Sequence, residues 1–269
     1  MNFALVAVFL ATGALVGFLA GLLGIGGGFT IVPILVEAFS SQGFAPEHVV
    51  PMAIGTSAGT IVFTAFSSAR AHHAKGAVDW RVVKGLSPGI VLGSLIGAQI
   101  ASGLPPAIMS GLFGTFIWSG AWQMLRNRTP VASRQLPGVG GMTAVGAAIG
   151  VLAGMVGTGG AFLAVPFMTR CNVALRTAVA TSAAIGIPVA IAATIGFMLA
   201  GWGKAGLPSW AVGYVYLPAL LGIVVTSTLL APVGARAAHA LPVATLRRAF
   251  AGMLFCLGAY MWWKALHIG

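Results

Sequence analysis

Long apolar runs that are nearly free of charge alternate with short polar segments along the whole chain. These runs cover residues 3–23, 50–69, 86–102 and 107–125 in the first half and residues 138–156, 175–200, 210–231 and 246–263 in the second. A run of about twenty apolar residues forms a helix that can cross about 30 Å of hydrocarbon. The pattern predicts an all-α polytopic membrane protein with about eight to ten transmembrane or re-entrant helices.

Glycines interrupt this pattern twice, in two related stretches. GLLGIGGGFTIVPIL at residues 21–35 recurs as GMVGTGGAFLAVPFM at residues 154–168, with glycines, a phenylalanine and a proline in register. Residues 29–39 would form a helix only about 17 Å long, which is too short to span the membrane. Glycine-interrupted segments at matching positions of two halves are typical of transporters with internal repeats. We therefore expect helix breaks near the membrane midplane.

The repeat divides the chain into two halves. We predict an N-terminal transmembrane repeat at residues 1–125, a cytoplasmic linker at residues 126–137 and a C-terminal repeat at residues 138–269, which together form one membrane domain. Gly13 and Gly17 precede the first break, at a spacing that lets another helix backbone approach closely. We expect them to form a helix-packing ridge.

Composition supports a bilayer environment. Hydrophobic residues make up 58% of the chain, charged residues 6%, and the mean hydropathy is +1.00, whereas soluble domains carry roughly 25% charged residues. The formal charge of +11 could suggest nucleic acid, but the basic residues lie in short loops between apolar runs. They are better explained as topology signals. The predicted partners are therefore the lipid bilayer and a small solute, and no nucleic acid.

The basic residues also distinguish two topologies. If each glycine-broken segment turns back, all 14 Lys and Arg residues except Lys204 and Lys264 lie on one side. If each segment crosses once, the second half is turned over in the membrane. Its basic residues then lie on the other side, and the Lys and Arg residues divide more evenly between the two sides. The positive-inside rule favours the hairpin. Each half then makes an odd number of passes, so the two repeats have inverted topology, with the basic loops on the cytoplasmic side of a bacterial inner membrane.

Candidate chemistry lies at the breaks and in a second recurring element, Thr56-Ser57 and Thr181-Ser182. A glycine turn exposes backbone N–H groups at the start of a half-helix, where the helix dipole favours an anion. Neighbouring hydroxyls could complete the coordination of a small oxyanion. The predicted substrate-binding residues are Gly24, Gly26, Gly27, Gly28, Thr56, Ser57, Gly157, Thr158, Gly159, Gly160, Thr181 and Ser182.

Other interpretations of the same residues stay open. Thr-Ser pairs in apolar helices can serve helix–helix packing alone, and the protein could be a non-transporting membrane scaffold. Residues 55–59 fit the G-x-S-x-G pattern of a serine hydrolase, but no strand–turn–helix context or nearby base is predicted. Adjacent His72 and His73 would face different directions on a helix. We therefore predict no catalytic residues, no metal site and no cofactor.

The quoted glycine motif and its second copy resemble the sulfite exporter TauE/SafE family. Further similarities are the Gly-Thr-Ser of a following helix, Arg70 with Val78-Asp79-Trp80, and the GARAAHALPVATLRRAFAGML segment near the end. The resemblance covers nearly the whole chain. It implies an inner-membrane permease that moves sulfite, sulfonates such as sulfoacetate, or related anions, usually outward. Ala180 departs from the family's Gly-Thr-Ser in the second copy. A homodimer is a candidate assembly.

The charges suggest how such an anion would move. Glu37, Glu47 and Asp79 are the acidic residues, and none lies near the middle of an apolar run, so proton coupling through a buried acid has little support. A negative-inside potential alone favours efflux of an anion. Arg70 and Arg176 could concentrate anions at the cytoplasmic mouth or serve only as topology determinants.

Overall fold

The computed structural model describes residues 3–23, 28–126, 135–238 and 243–267. Within these ranges the chain forms ten helices and one short β-hairpin. The helices are α1 (Phe3–Leu23), α2 (Gly28–Ser41), α3 (Pro46–Ala74), α4 (Trp80–Gly103), α5 (Pro106–Arg126), α6 (Val139–Val156), α7 (Ala161–Arg170), α8 (Leu175–Ala200), α9 (Leu217–Ala238) and α10 (Val243–His267). The strands are β1 (Ala211–Val212) and β2 (Val215–Tyr216), which pair antiparallel.

Five of the described helices contain a segment long and apolar enough to cross a membrane, namely Pro46–Ala74, Trp80–Gly103, Val139–Val156, Leu175–Ala200 and Arg248–His267. Helices α2 and α7 have only 14 and 10 residues, so they are about 21 and 15 Å long at 1.5 Å per residue. Neither reaches across the hydrocarbon core. The architecture is therefore the predicted all-α polytopic membrane fold with short helices beside long ones.

The structure describes the second of the two predicted helix breaks. In the first copy, the predicted break falls on residues 24–27, between α1 and α2, which lie outside the described ranges. In the second copy α6 ends at Val156, and Gly157 and Gly160 have φ angles of 62° and 70°. Side chains other than glycine rarely adopt this left-handed region. The glycines thus allow the chain to leave one helix and start another within four residues.

Each broken segment forms a hairpin rather than a single crossing. Phe9, near the start of α1, packs against Phe39, near the end of α2, with ring centroids 6.3 Å apart. In the second half, a Cβ atom at Gly85, near the start of α4, would lie 2.7 Å from Met142 Cε near the start of α6. Helix α7 leads after four residues into α8, whose Thr177 lines one cavity with residues 76–81, just before and at the start of α4. The start of the first helix and the end of the second therefore lie at the same end of the bundle in both copies, which confirms the predicted hairpin.

The helices pack in pairs that obey a pseudo-two-fold relation between α1–α5 and α6–α10. Helix α1 packs on α9 as α6 packs on α4, and α3 contacts α9 as α8 contacts α4. The equivalent helices α3 and α8 pack on each other, as do α5 and α10. Most extensive contacts thus join one half to the other. The boundaries of the halves stay a prediction, and most of the predicted linker lies outside the described ranges.

The repeats are inverted, because α1 starts beside Phe39 at one end of the bundle and α6 starts beside Gly85 at the other. Charged residues separate to these two ends. At the end we call acidic, Lys264 Nζ lies 3.8 Å from Glu37 Oε2. The ring of His48, next to Glu47 in the chain, is hydrogen-bonded through Nε2 to Ala205 O at 2.9 Å, which places the loop containing Lys204 at the same end. The opposite end, which we call basic, carries the end of α3 and the starts of α4 and α8, including Arg70, Lys75, Arg81, Lys84 and Arg176.

Glycine ridges allow the close pairing of α1 with α9 and of α4 with α6. A Cβ atom at Gly17 would lie 2.4 Å from the carbonyl oxygen of Ser227, and one at Gly89 would lie 1.9 Å from that of Thr143. Both distances are shorter than any van der Waals contact. The predicted packing role of the ridge before the first break is therefore confirmed at Gly17, and a further glycine ridge lies on α4.

One predicted span was wrong in its first residues. The apolar run at residues 210–231 predicted a single helix, but Ala211–Val212 and Val215–Tyr216 form the β-hairpin and α9 begins at Leu217. Gly213 has a φ of 55° and turns the hairpin. Pro218 is the second residue of α9, a position where its missing N–H costs no helical hydrogen bond. The proline therefore starts this helix rather than kinking it.

Candidate functional site

The turn between α6 and α7 leaves backbone donors free. Thr158 N donates to Ala153 O at 3.1 Å and closes the end of α6, while Gly160 O accepts from the N–H groups of Leu163 and Ala164 at 3.1 and 2.9 Å. The N–H groups of residues 159–162 donate no hydrogen bond within the described chain. They form the positive end of the α7 dipole.

The start of α2 meets this turn. A Cβ atom at Gly28 would lie 3.1 Å from Gly157 O and 3.5 Å from Thr158 Cα. The rings of Phe29 and Phe162, which occupy equivalent positions at the starts of α2 and α7, meet edge to face with centroids 6.0 Å apart. The N-termini of the two half-helices therefore converge. The predicted site residues Gly24, Gly26 and Gly27 lie outside the described residues.

Phe116 of α5 completes a three-membered aromatic cluster beside the turns. Its ring centroid lies 5.9 Å from that of Phe29 and 5.4 Å from that of Phe162. This cluster covers the side of the half-helix starts that faces α5. Sequence analysis did not assign these rings to the site, although the recurrence of Phe29 as Phe162 was a signal for two of them.

Helices α3 and α8 cover the other side. A Cβ atom at Gly157 would lie 2.6 Å from Ile54 Cγ2, and one at Gly159 would lie 3.5 Å from Ile61 Cγ2. On α8, a Cβ atom at Gly186 would lie 3.4 Å from Gly159 O. Sequence analysis missed Gly186. We use the term central site for the region bounded by the start of α2, the 157–160 turn and the face of α3 that carries Ile54 and Ile61.

Two hydroxyl groups in the central site are buried without a partner. Thr158 lies within the turn itself, and Ser57 lies three residues after Ile54 on α3, on the neighbouring part of the same face. The side-chain oxygens of both residues are inaccessible and have no hydrogen-bond partner in the described part of the chain. Because burying an unpaired hydroxyl costs free energy, these two groups are candidate donors to a ligand.

The other predicted hydroxyls have different partners. Thr56 Oγ1 accepts the N–H of Tyr216 just before α9, and Thr181 Oγ1 accepts the N–H of Asp79 just before α4, both at 2.9 Å. Each bond joins one half to the other at equivalent positions. Ser182 Oγ donates to Val179 O within α8 at 2.7 Å. The structure thus gives Thr56 and Thr181 backbone partners in the other half of the chain, in β2 and at the residue before α4.

Arg70 and Arg176 lie at the basic end and both are exposed. A cavity of about 440 Å³ opens near Arg176, lined by residues 76–81 and Thr177. Asp79 Oδ1 accepts from Arg81 N at 2.9 Å and caps α4. Arg81 also lines this cavity, so it is a further cation at the basic end. Among the described residues, no group of three His, Cys, Asp or Glu side chains could hold a metal ion.

Two inverted five-helix halves, with the N-termini of two half-helices converging inside the bundle, define a membrane permease. The chain belongs to the sulfite exporter TauE/SafE family, whose profile matches residues 9–261. It is therefore a membrane transport protein and not an enzyme.

Relatives from two bacteria and an archaeon are also named as probable membrane transporters. The chain is 35% identical to a probable membrane transporter protein of Haemophilus influenzae over 97% of this chain and all of the relative. It is 26% identical to one of Bacillus subtilis, over 87% of this chain and 91% of the relative. It is 25% identical to one of Methanocaldococcus jannaschii, over 96% and 95%. No solved structure matches the chain.

Proposed function

We propose that this permease exports a small sulfur-containing anion, such as sulfite, a sulfonate or sulfoacetate, across the bacterial inner membrane by alternating access. The observation that carries the proposal is the convergence of the starts of α2 and α7 beside the unpaired, buried hydroxyls of Ser57 and Thr158. Free N–H groups and hydroxyl donors are the groups that an oxyanion accepts from. The family's description as sulfite exporters supports the substrate class.

The inverted repeat supports alternating access. Both unpaired hydroxyls are buried, so an anion reaches them only after the packing around the central site changes. In inverted-repeat transporters, one half or bundle moves against the other around a fixed site. The bonds from Tyr216 to Thr56 and from Asp79 to Thr181 cross between the halves at equivalent places. If one half moves against the other, the central site would open to one side of the membrane near the Thr56–Tyr216 bond and to the other side near the Thr181–Asp79 bond.

The charge distribution supports outward movement. If the basic end is cytoplasmic, as the positive-inside rule predicts, then a monovalent anion that leaves gains about 2.3 kcal/mol per 100 mV of negative-inside potential. Exposed Arg70, Arg81 and Arg176 raise the local anion concentration at that mouth. Export then needs no coupling ion.

Flux measured in proteoliposomes tests the proposal. Sulfite, sulfoacetate, taurine and acetate are compared under an imposed membrane potential, with the purified protein shown to be monodisperse. We expect potential-dependent movement of at least one sulfur oxyanion. Faster movement of acetate than of every sulfur oxyanion would favour the second candidate, a permease for another small organic anion, because neutral donors also bind carboxylates. Movement of none of them would refute transport of these anions.

Gly159→Leu tests whether the central site carries this flux. A Cβ atom fits at Gly159, with Ile61 Cγ2 at 3.5 Å and Gly186 Cα at 4.0 Å, so the longer side chain should fill the site without displacing backbone. Gly252→Leu is the matched control, because Gly252 lies on α10 with nothing within 4 Å of an added Cβ atom. We expect the first variant to lose flux and the second to retain it. Flux through Gly159→Leu at the unaltered rate would show that the anion passes elsewhere.

A further inference from the structure

We propose that a row of hydroxyl side chains on α3 lines the pathway of the anion between the central site and the basic end, and that the equivalent face of α8 keeps the acidic side of the central site closed. We call the row on α3 the hydroxyl stripe, which consists of Ser57, Thr60, Thr64, Ser67 and Ser68. This inference rests on the proposed function, because the stripe serves the anion that binds at the central site. It goes beyond that function by naming the residues along which the anion moves.

The hydroxyl stripe connects the central site to the basic end. Its members recur every three or four residues, with a pair at the end, and this spacing places side chains on one side of a helix. Ser57, at the inner end of the stripe, is the buried hydroxyl without a partner beside the central site. Arg70 lies two residues beyond the outer end. From Ser57 to Ser68 the helix rises about 17 Å at 1.5 Å per residue, which is about half of the hydrocarbon thickness.

The exposure of the stripe increases toward the basic end. Ser57 and Thr60 are 0% and 1% exposed. Thr64, one turn further, is half-buried, and Ser67 is exposed. The outer part of the stripe is therefore accessible in this conformation, whereas the inner part beside the central site is closed.

Neither helix packing nor contact with lipid explains the hydroxyls of this face. The Thr60 and Thr64 hydroxyls donate to backbone carbonyls of α3 itself, at 2.7 and 3.2 Å, so these bonds join no two helices. The large exposed apolar side chains of this part of α3, Phe63 and Phe66, lie on another face. A hydroxyl has one donor and two acceptor sites, so the stripe can exchange hydrogen bonds with water or with a passing anion.

The equivalent face of α8 is apolar. Thr181-Ser182 matches Thr56-Ser57, so the positions that match the rest of the stripe lie 125 residues further on. They hold aliphatic side chains that are at most 3% exposed, namely Ile185, Val189, Ala192 and Ala193. A Cβ atom at Gly160 would lie 3.2 Å from Val189 Cγ2, so this apolar face also borders the central site. Aliphatic side chains offer no hydrogen bonds to an anion, and a constriction that they line excludes water.

The acidic half of α8 is also closed by packing. A Cβ atom at Gly196 would lie 2.6 Å from Ala98 Cβ, and Gln99 Nε2 donates to Gly196 O at 2.8 Å. At the matching position of α3, Ala71 is exposed. The cleft of about 80 Å³ beside Phe116 is lined by apolar side chains only. The conformation described here therefore faces the basic end, with a polar pathway on that side and an apolar barrier on the other.

Cysteine labelling tests the pathway. The full-length chain with Cys256→Ser is the background, because Cys256 is exposed and Cys171 is buried. A charged maleimide that does not cross membranes is applied to either side of oriented vesicles, without substrate. We expect Ser67→Cys to be modified from the basic side only and Ala193→Cys from neither side. Ser209→Cys is the control, because it lies exposed in the loop at the acidic end and should be modified from that side only.

Flux of sulfoacetate in the same vesicles shows whether the labelled face carries the anion. Modified Ser67→Cys should lose flux, because the added group fills the pathway, whereas modified Ser209→Cys should retain it. Thr64→Val should lower the maximal flux about fivefold, the effect of about 1 kcal/mol from one hydroxyl, and leave the half-saturating concentration unchanged. Thr194→Val is the matched control, because Thr194 also donates within its own helix, to Ala190 O, and lies on another face of α8.

The outcomes separate this inference from the proposed function. Unchanged flux after complete modification of Ser67→Cys, or modification of Ala193→Cys from the acidic side, would overturn the inference and leave the proposed function intact. Absence of both sulfoacetate and sulfite flux in the folded, unmodified protein would overturn both.

Discussion

Thr56→Val should destabilise the protein without altering anion recognition, because the Thr56 hydroxyl forms a hydrogen bond that joins the two halves. Thr56 is fully buried, and its Oγ1 accepts the N–H of Tyr216, whose exposed fraction is 6%. Valine has nearly the same shape but cannot accept, so a buried N–H group is left without a partner. Such a group costs about 1–3 kcal/mol, and hydrogen bonds measured between transmembrane helices average about 0.6 and reach about 1.7 kcal/mol. We expect a loss of about 1–2 kcal/mol.

The midpoint of thermal unfolding in detergent measures this loss, and anion flux against concentration measures recognition. Thr56→Ser is the control, since it keeps the hydroxyl and should restore most of the midpoint. Thr181→Val removes the equivalent bond to Asp79, but that bond is only partly buried, so water can replace it and the loss should be smaller.

A result in which Thr56→Val unfolds like the unaltered protein, while the anion concentration for half-maximal flux rises, would refute this reasoning. The hydroxyl would then act on the substrate, as the sequence first predicted. A lower midpoint of thermal unfolding, with an unchanged anion concentration for half-maximal flux, supports a purely structural role for the Thr56 hydroxyl.

Two further predictions follow from particular contacts. Ser57→Ala should raise the anion concentration for half-maximal flux about five- to tenfold, the effect of losing about 1–1.4 kcal/mol from one donor. Ser182→Ala should change this concentration less, because that hydroxyl already bonds to Val179 O. Equal effects would contradict a site in which Ser57, and not Ser182, contacts the anion. Gly89→Ala should lower the thermal midpoint by the equivalent of about 1–3 kcal/mol, since its Cβ atom would lie 1.9 Å from Thr143 O. Gly103→Ala, with nothing within 4 Å of the added Cβ atom, is the control, and a midpoint equally lowered in both would rule out the α4–α6 contact as the cause.

Local sequence patterns could predict where the helices lie along the chain, but not which other helices they pack against. Each apolar run specifies a helix, because a backbone in hydrocarbon must satisfy its own hydrogen bonds. The span that failed, residues 210–231, is as apolar as the others, and its first residues form a β-hairpin whose turn and second strand are buried within the protein, with Tyr214 and Val215 2% and 0% exposed. Hydropathy does not distinguish a segment buried in protein from one that faces lipid.

The candidate site shows a similar division. Repetition identified Gly157 and Gly160, and the structure places both at positive φ. The sequence treated Thr56-Ser57 and Thr181-Ser182 as equal hydroxyl pairs. Only tertiary packing separates them, because the partners of Thr56 and Thr181 lie 160 and 102 residues away.

By itself, the sequence determined that the chain is a helical membrane protein, that it is a duplicated unit, and that each copy contains a glycine-broken helix. These are consequences of hydropathy, helix length and the backbone freedom of glycine, which act within a few residues. The tertiary structure decided which half-helix starts converge, that Phe116 and Gly186 flank them, and that the hydroxyls of Ser57 and Thr158 have no partner among the described residues. Those facts depend on contacts between helices far apart in the chain, and the pattern along any one helix does not contain them.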